Sequence, residues 1–155
     1  MSGTNKSYGN STSCVSIAFD GVSYIFDAGN GILNFETDLQ KNPDAEEIYL
    51  FISHYHFDHL IGFPFFRPLF SKRFNVKVYL PNFENTQGFN ALQKLVSPPL
   101  FPVDLSILGK NVTFVEFNPG EAIIKENDFS IETRLFAHPG GVCAYKLNSG
   151  GKSVV

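Results

Sequence analysis

The chain has no tryptophan, one methionine, two cysteines and four histidines among 155 residues, and each shortage excludes something. Two cysteines, Cys14 and Cys143, cannot build a disulfide framework or a Cys-type zinc site, and each lies in an apolar strand-like run where a small buried thiol is ordinary. No apolar stretch approaches the ~20 residues that a membrane-crossing helix needs, so no membrane partner is expected. The polar lead from Met1 to Ser13 lacks the apolar centre of a signal peptide or anchor, which makes a cytoplasmic, reducing location the expectation. Strong charge of either sign is also missing. A formal net charge of −3 gives no whole-molecule reason for nucleic-acid binding. Arg67, Lys72, Arg73 and Lys77 form one local basic stretch, read either as a solvated loop and strand edge or as a place to meet a phosphate.

What is present is apolar bulk. A 43% hydrophobic content with 17 phenylalanines can fill the core of one domain, and disorder is excluded on that ground. Cys14 to Phe19 and Val22 to Phe26 flank Asp20-Gly21, a dipeptide suited to the positive φ angles of a tight hairpin. After Asp27-Ala28-Gly29-Asn30-Gly31, the spacing of Ile32, Phe35 and Leu39 predicts a short amphipathic helix, ended by Asn42-Pro43-Asp44. Ile48 to Ile52 is apolar at both alternating sets of positions, the pattern of a central strand covered on both faces.

Leu60 to Phe70, with Pro64 and Pro68, reads as a broken helix or an apolar loop near a site mouth. Val76 to Leu80 reads as another strand. Phe89, Leu92 and Val96 mark a second helix, ended by Pro98-Pro99. Val112 to Phe117 and Phe129 to Phe136 read as strands, the latter with Phe129, Ile131 and Leu135 on one side and Ser130, Glu132 and Arg134 on the other. Val142 to Leu147, the turn Asn148-Ser149-Gly150-Gly151, and Lys152 to Val155 predict a last hairpin. The class is mixed α/β.

All four histidines fall in two compact segments: His54-Tyr55-His56-Phe57-Asp58-His59, directly after the central strand, and Ala137-His138-Pro139-Gly140-Gly141. In extended backbone His54 and His56 project to the same side, about 7 Å apart along the chain, and can converge on one ion. A third ligand from elsewhere in the chain would close the set, and outside this segment His138 is the only imidazole that can supply it, on a turn whose proline and glycines suit a rigid, close approach. Asp58 and His59 could face a second ion beside the first. Nitrogen and carboxylate donors suit Zn²⁺ first, with Mn²⁺ or Fe²⁺ as alternatives, rather than Ca²⁺. A single His-x-His segment is as readily a pair of hydrogen-bonded structural residues. Four ligand types in six positions at a strand end favour a metal site.

His54-x-His56-x-Asp58-His59 resembles the signature of the metallo-β-lactamase superfamily. The wider stretch from Ser53 to Phe66, with Gly62-Phe63-Pro64, is most similar to the phosphodiesterase and tRNA 3′-processing ribonuclease branch. Asp27-Ala28-Gly29-Asn30-Gly31 resembles that family's Asp-x-Gly-x-Gly turn. Asn10 to Val15 is similar to its Gly-Asn-Thr-Ser-Cys opening, and His138-Pro139-Gly140-Gly141 to the segment carrying its third site-one histidine.

The resemblance implies an αβ/βα sandwich over residues 1–155, its first half plus part of the second. It implies two divalent ions, one held by His54, His56 and His138 and the other by Asp58 and His59. It further implies hydrolysis by a metal-bound hydroxide that Asp58 orients or deprotonates, with a small-molecule or nucleotide phosphoester as substrate and nucleic acid not indicated by charge. Asp27 reads as a turn-former ahead of a role in supporting the ligands.

Lactonase, thioesterase or β-lactamase chemistry on the same ligands stays open, because fold and metal do not fix the substrate. The family's later metal-bridging aspartate and final histidine have no counterpart here, since no Asp or Glu follows His138. The expectation is therefore a domain incomplete at its C-terminus, holding only one ion firmly, as a fragment or a non-catalytic remnant. Apolar strands such as Ile48 to Ile52 are then expected to expose surface and to drive self-association.

Overall fold

The computed structural model describes residues 10–41, 46–126 and 128–155. The helix terminator Asn42-Pro43-Asp44 and the first nine residues of the polar lead lie outside the described residues.

The opening hairpin forms as read. β1 (Val15–Phe19) and β2 (Val22–Phe26) pair antiparallel around Asp20 and Gly21, whose φ angles are +50° and +77°. From β2 the chain crosses through helix α1 (Ile32–Lys41) to β3 (Glu47–Phe51), which pairs parallel to β2. β4 (Asn75–Pro81), helix α2 (Gly88–Leu95) and β5 (Val112–Phe117) continue the sheet, in the spatial order β1-β2-β3-β4-β5. Parallel pairing requires long crossovers, and the helical spacing of α1 and α2 supplies two of them.

Between β3 and β4 the crossover is neither a continuous helix nor an open loop. It is a series of short 3₁₀ turns at Phe57–His59, Phe63–Phe65 and Arg67–Phe70. Pro64 and Pro68 sit at the starts of the last two, where a missing N–H costs nothing. Phe63, Phe66 and Leu69 are buried, the three-residue recurrence of 3₁₀ geometry.

A second sheet consists of β6 (Ala122–Glu126), β7 (Phe129–Phe136), β8 (Val142–Ser149) and β9 (Lys152–Val154), all antiparallel neighbours. β6 is absent from the sequence reading. Its apolar residues, Ala122, Ile123 and Ile124, are consecutive, its register shifts between Ala122 and Ile124, and it lacks the alternation that marks a half-buried strand.

The two faces of β3 carry two different cores. Ile48 and Leu50 join Ile32, Leu39, Leu92 and the 3₁₀ segment on the helix side. Tyr49 and Phe51 face the second sheet, where Phe51 stacks on Tyr79 at 4.7 Å and on Phe26 at 5.1 Å and tilts against Tyr145 at 5.4 Å. The exposure expected for Ile48 to Ile52 is therefore overturned: Ile48, Leu50, Phe51 and Ile52 are all 0% exposed. Ile131, Cys143, Tyr145 and Leu147 from the second sheet supply the cover that the sequence reading lacked.

β7 alternates as read, with one difference. Ile131 is buried, but Leu135 on the same side is 55% exposed, because this end of the strand lines an open cleft. Both thiols behave as small apolar groups. Burial pushes Cys14 and Cys143 each up to about 11. Among the described residues no helix is long and apolar enough to cross a membrane.

Phe51 is the common member of the inter-sheet aromatic stack, so Phe51→Ala should lower the unfolding free energy by about 3–5 kcal/mol, measured by urea titration. A loss below about 1 kcal/mol would mean that the two sheets do not depend on this stack.

Candidate metal centre

β3 delivers its last residues into a segment pinned from both sheets. The Ile52 N–H donates to the carbonyl of Tyr79 at 3.1 Å, and the carbonyl of Ile52 accepts the buried Tyr145 hydroxyl at 2.6 Å. The Cys143 N–H donates to the carbonyl of Ser53 at 2.9 Å. The backbone that carries His54 and His56 is thereby fixed to β4 on one side and β8 on the other.

Three sequence segments noted for their resemblance converge below this point. Asp27, at φ +65°, turns the chain out of β2 while its N–H donates to the carbonyl of Phe51 at 2.8 Å. The Ala28 N–H donates to the carbonyl of His59, the Gly62 N–H to that of Ala28 and the Gly29 N–H to that of Ser13, each at 2.8 Å. Gly29 is required by this close approach. A Cβ there would lie 2.5 Å from the carbonyl oxygens of Asp58 and Ser13.

The Asp27 carboxylate is the hub. One oxygen accepts the Ser53 N–H at 2.7 Å; the other accepts the Ser53 hydroxyl at 2.9 Å, the Ser13 hydroxyl at 3.2 Å and His59 Nδ1 at 2.7 Å. A carboxylate accepts only, so the Ser53 hydroxyl spends its proton on Asp27. Its oxygen, 2.9 Å from His54 Nδ1, must then accept, which assigns His54 the Nδ1–H tautomer and leaves Nε2 with its lone pair. The same reasoning leaves His59 Nε2 free. Asp27 is thus more than the turn-former it seemed in sequence: it sets the orientation of two imidazoles.

The imidazoles gather as their spacing predicts. One ligand atom each from His54, His56 and His138 lie within 4.8 Å of one another, the only such group among the described residues. His56 Nδ1 and His138 Nε2 are 3.3 Å apart. Two nitrogens each ~2.05 Å from a tetrahedral ion stand ~3.3 Å apart, so this pair already has the separation that a shared ion requires. His59 lies alongside, its ring 4.1 Å from that of His54, with Nε2 3.5 Å from a carboxylate oxygen of Asp58.

Burial differs across the group. His54 is buried, whereas His56, Asp58 and His138 are exposed and His59 is intermediate. Burial, then the adjacent His59 and His56 rings, lowers His54 to about 4 against a partial opposing pull from Asp27. His54 is consequently neutral at pH 7, the form that a ligand needs. Asp27, Ser53 and Ser13 each lie in a segment noted for its resemblance, but nothing in those segments shows that the three side chains meet, and the sequence reading gave Ser53 and Ser13 no role for that reason.

Two face-to-face sheets, with helices outside the first and imidazoles collected at strand ends, define an α/β sandwich carrying a candidate metal centre. No protein-family profile and no curated protein matches the chain. Solved structures do match. A metallo-β-lactamase fold protein, YhfI from Bacillus subtilis, superposes with a TM-score of 0.67 at 18% identity, over 96% of this chain and 54% of that one. Human tRNase Z, short form, gives 0.58 at 15% identity over 92% and 60%, and a diphosphatase of the PhnP family gives 0.59 at 17% identity over 92% and 50%. The chain has the metallo-β-lactamase fold, and it spans about half the length of these structures.

Two outcomes test this geometry. Asn tolerates positive φ, so Asp27→Asn should keep the turn but weaken Zn²⁺ binding about 10–100-fold in a competitive chelator titration; unchanged affinity would reduce Asp27 to a turn residue. His54 in the folded chain takes up its proton only near pH 4, while the unfolded chain does so near the ordinary 6.5. Metal-free protein should therefore hold this contribution above pH 6.5 and lose it as pH falls towards 4, with a flatter thermal-melt profile in His54→Gln.

Proposed function

We propose that this chain is the metal-binding part of a hydrolase that cleaves a phosphodiester or related ester. One observation carries the reading: three imidazole donors lie close enough to share an ion, and Ser53 fixes His54 in the tautomer that leaves Nε2 for ligation. His54, His56 and His138 would hold the first ion, Zn²⁺ by donor chemistry with Mn²⁺ or Fe²⁺ as alternatives. Asp58 and His59 offer the second, weaker position.

A divalent ion held there supplies Lewis acidity for the charge that builds on the phosphoryl or carbonyl oxygen. The chain's own groups do the remaining work. In this reading the exposed Asp58 carboxylate, 3.5 Å from His59 Nε2, orients an attacking water and takes its proton. Asp27 holds the His59 ring in place through Nδ1, and Ser53 does the same for His54. A tRNase and a diphosphatase stand among the similar structures beside metallo-β-lactamases of comparable TM-score, so the choice of phosphoester chemistry rests on the resemblance of Ser53 to Phe66, with Gly62-Phe63-Pro64, to the phosphodiesterase branch. A small phosphoester in the cytoplasm is the substrate this reading favours.

A second reading has its own observation. Asp58 is 62% exposed and, among the described residues, pairs with His59 alone, so in this reading the chain by itself holds one ion firmly and turns over slowly or not at all.

Elemental analysis and hydrolysis of bis-p-nitrophenyl phosphate separate the two. The first reading expects turnover that chelation abolishes and His56→Ala lowers about 100-fold or more. Turnover that survives both would refute it, and one equivalent of metal with no turnover would establish the second.

A further inference from the structure

The basic stretch Arg67, Lys72, Arg73 and Lys77 has no part in the metal centre. Lys77 is spent within the fold: its ammonium donates to the Tyr49 hydroxyl at 3.3 Å and lies 4.8 Å over that ring. The other three cations are exposed, and a fourth joins them. The Asn111 side-chain amide donates to the carbonyls of Ser71 and Phe74, each at 3.0 Å, which sets the exposed Lys110 beside Lys72 and Arg73.

Apolar surface stands among these cations. Phe63, Phe66 and Leu69 take the inward positions of the 3₁₀ crossover, which leaves Phe65 and Phe70 exposed. Phe65 is 57% exposed and meets the Phe101 ring edge-on at 5.8 Å. Phe70, Phe101, Val103 and Ile107 border one shallow crease, and Leu100, beside Phe101 in the chain, is 75% exposed. Apolar side chains gathered outside the core and rimmed by charge mark a contact surface.

Charge and shape together decide what covers this face. Residues 60–75 and 97–111, which build it, carry four cations and one carboxylate, Asp104, although the whole chain has a net charge of −3. A second copy meeting it face to face would set those cations against their own kind. The crease holds only about 10 Å³, the room of about one water molecule, so no partner side chain can enter it. Its side chains protrude instead of receiving, which suits a fluid surface: acyl chains rearrange around a protruding ring or methyl, and anionic headgroups meet the surrounding cations. We propose that this face docks on an anionic phospholipid bilayer, with Phe65, Phe70, Leu100 and Ile107 entering the headgroup boundary and Arg67, Lys72, Arg73 and Lys110 around them. The lack of a long apolar helix among the described residues bears on crossing a bilayer, not on resting against one.

The test is co-sedimentation of the full chain with lipid vesicles. Vesicles of phosphatidylcholine with about 30% phosphatidylserine should bind it at least about 10-fold more tightly than pure phosphatidylcholine. Each cation near such a surface is worth about 5-fold, so Lys72→Gln combined with Arg73→Gln should weaken binding about 25-fold. Raising salt from about 0.1 M to about 1 M should remove most of it. Leu100→Ser and Phe65→Ser should each weaken it about 10-fold. All four positions are open to solvent, and thermal melts matching the unsubstituted chain confirm that the variants fold. Vesicle binding is read without turnover, so it stands or falls apart from the hydrolase reading.

No binding to the anionic vesicles, or equal binding to neutral and anionic ones, would overturn the proposal. Binding that depends on Lys72 and Arg73 but is indifferent to Leu100→Ser and Phe65→Ser in folded protein would also overturn it, leaving a plain anion site of the kind a nucleic acid or an acidic protein meets. So would dimerisation without vesicles that Leu100→Ser abolishes, which would give the face to a second copy.

Discussion

The carboxylate of Asp27 is the constraint on which the candidate centre depends. It is buried, it sits at a positive-φ turn leaving β2, and it receives four hydrogen bonds from three residues of two other segments. A buried carboxylate without partners would be strongly unfavourable, and here each partner is also positioned by the contact. Ser53 is held at the exit of β3, His59 at the end of a 3₁₀ turn, and Ser13 beside the start of β1. Through the Ser53 hydroxyl the same charge reaches His54 without touching it. One negative group thus sets two ring orientations, and the glycines around it permit the backbones to approach.

The fold beneath this centre follows from the double-sided character of β3. Its alternate residues feed two cores of different composition, a mostly aliphatic one under the helices that also holds Phe63, Phe66 and Phe74, and one richer in aromatics between the sheets. The aliphatic side fixes the parallel crossovers. The aromatic side, with Tyr145 donating its hydroxyl to the carbonyl of Ile52, brings the second sheet against the strand that carries the histidines. Burial holds Tyr145 well above the ordinary tyrosine value, so that hydroxyl remains a donor.

Much of this was legible from residue order, because the signals are local. The Asp20-Gly21 hairpin, the helical spacing of Ile32, Phe35 and Leu39, the continuous apolar run of Ile48 to Ile52 and the two histidine segments all declare themselves within a few residues. What was not legible depends on contacts far apart in the chain. The cover over β3 comes from Ile131 to Leu147, and a reading that treated the second sheet as incomplete left β3 exposed. β6 escaped because its shifted register erases alternation. Asp27 read as a turn residue because nothing in the run Asp27 to Gly31 tells that its side chain meets Ser53 and His59. The exposed Leu135 and Phe136 looked like ordinary strand residues, since alternation alone does not say where a sandwich stops.

His56 and His138 are 82 residues apart in sequence, and they follow strands of different sheets, β3 and β7. An ion gripped by both would be a non-covalent cross-link across just over half of the chain, closing a very long loop in one step. Its free energy of association would then be shared with the seam between the sheets. The seam and the centre would tighten or loosen together, making the rigidity of this molecule a property of its ionic surroundings as much as of its side-chain packing.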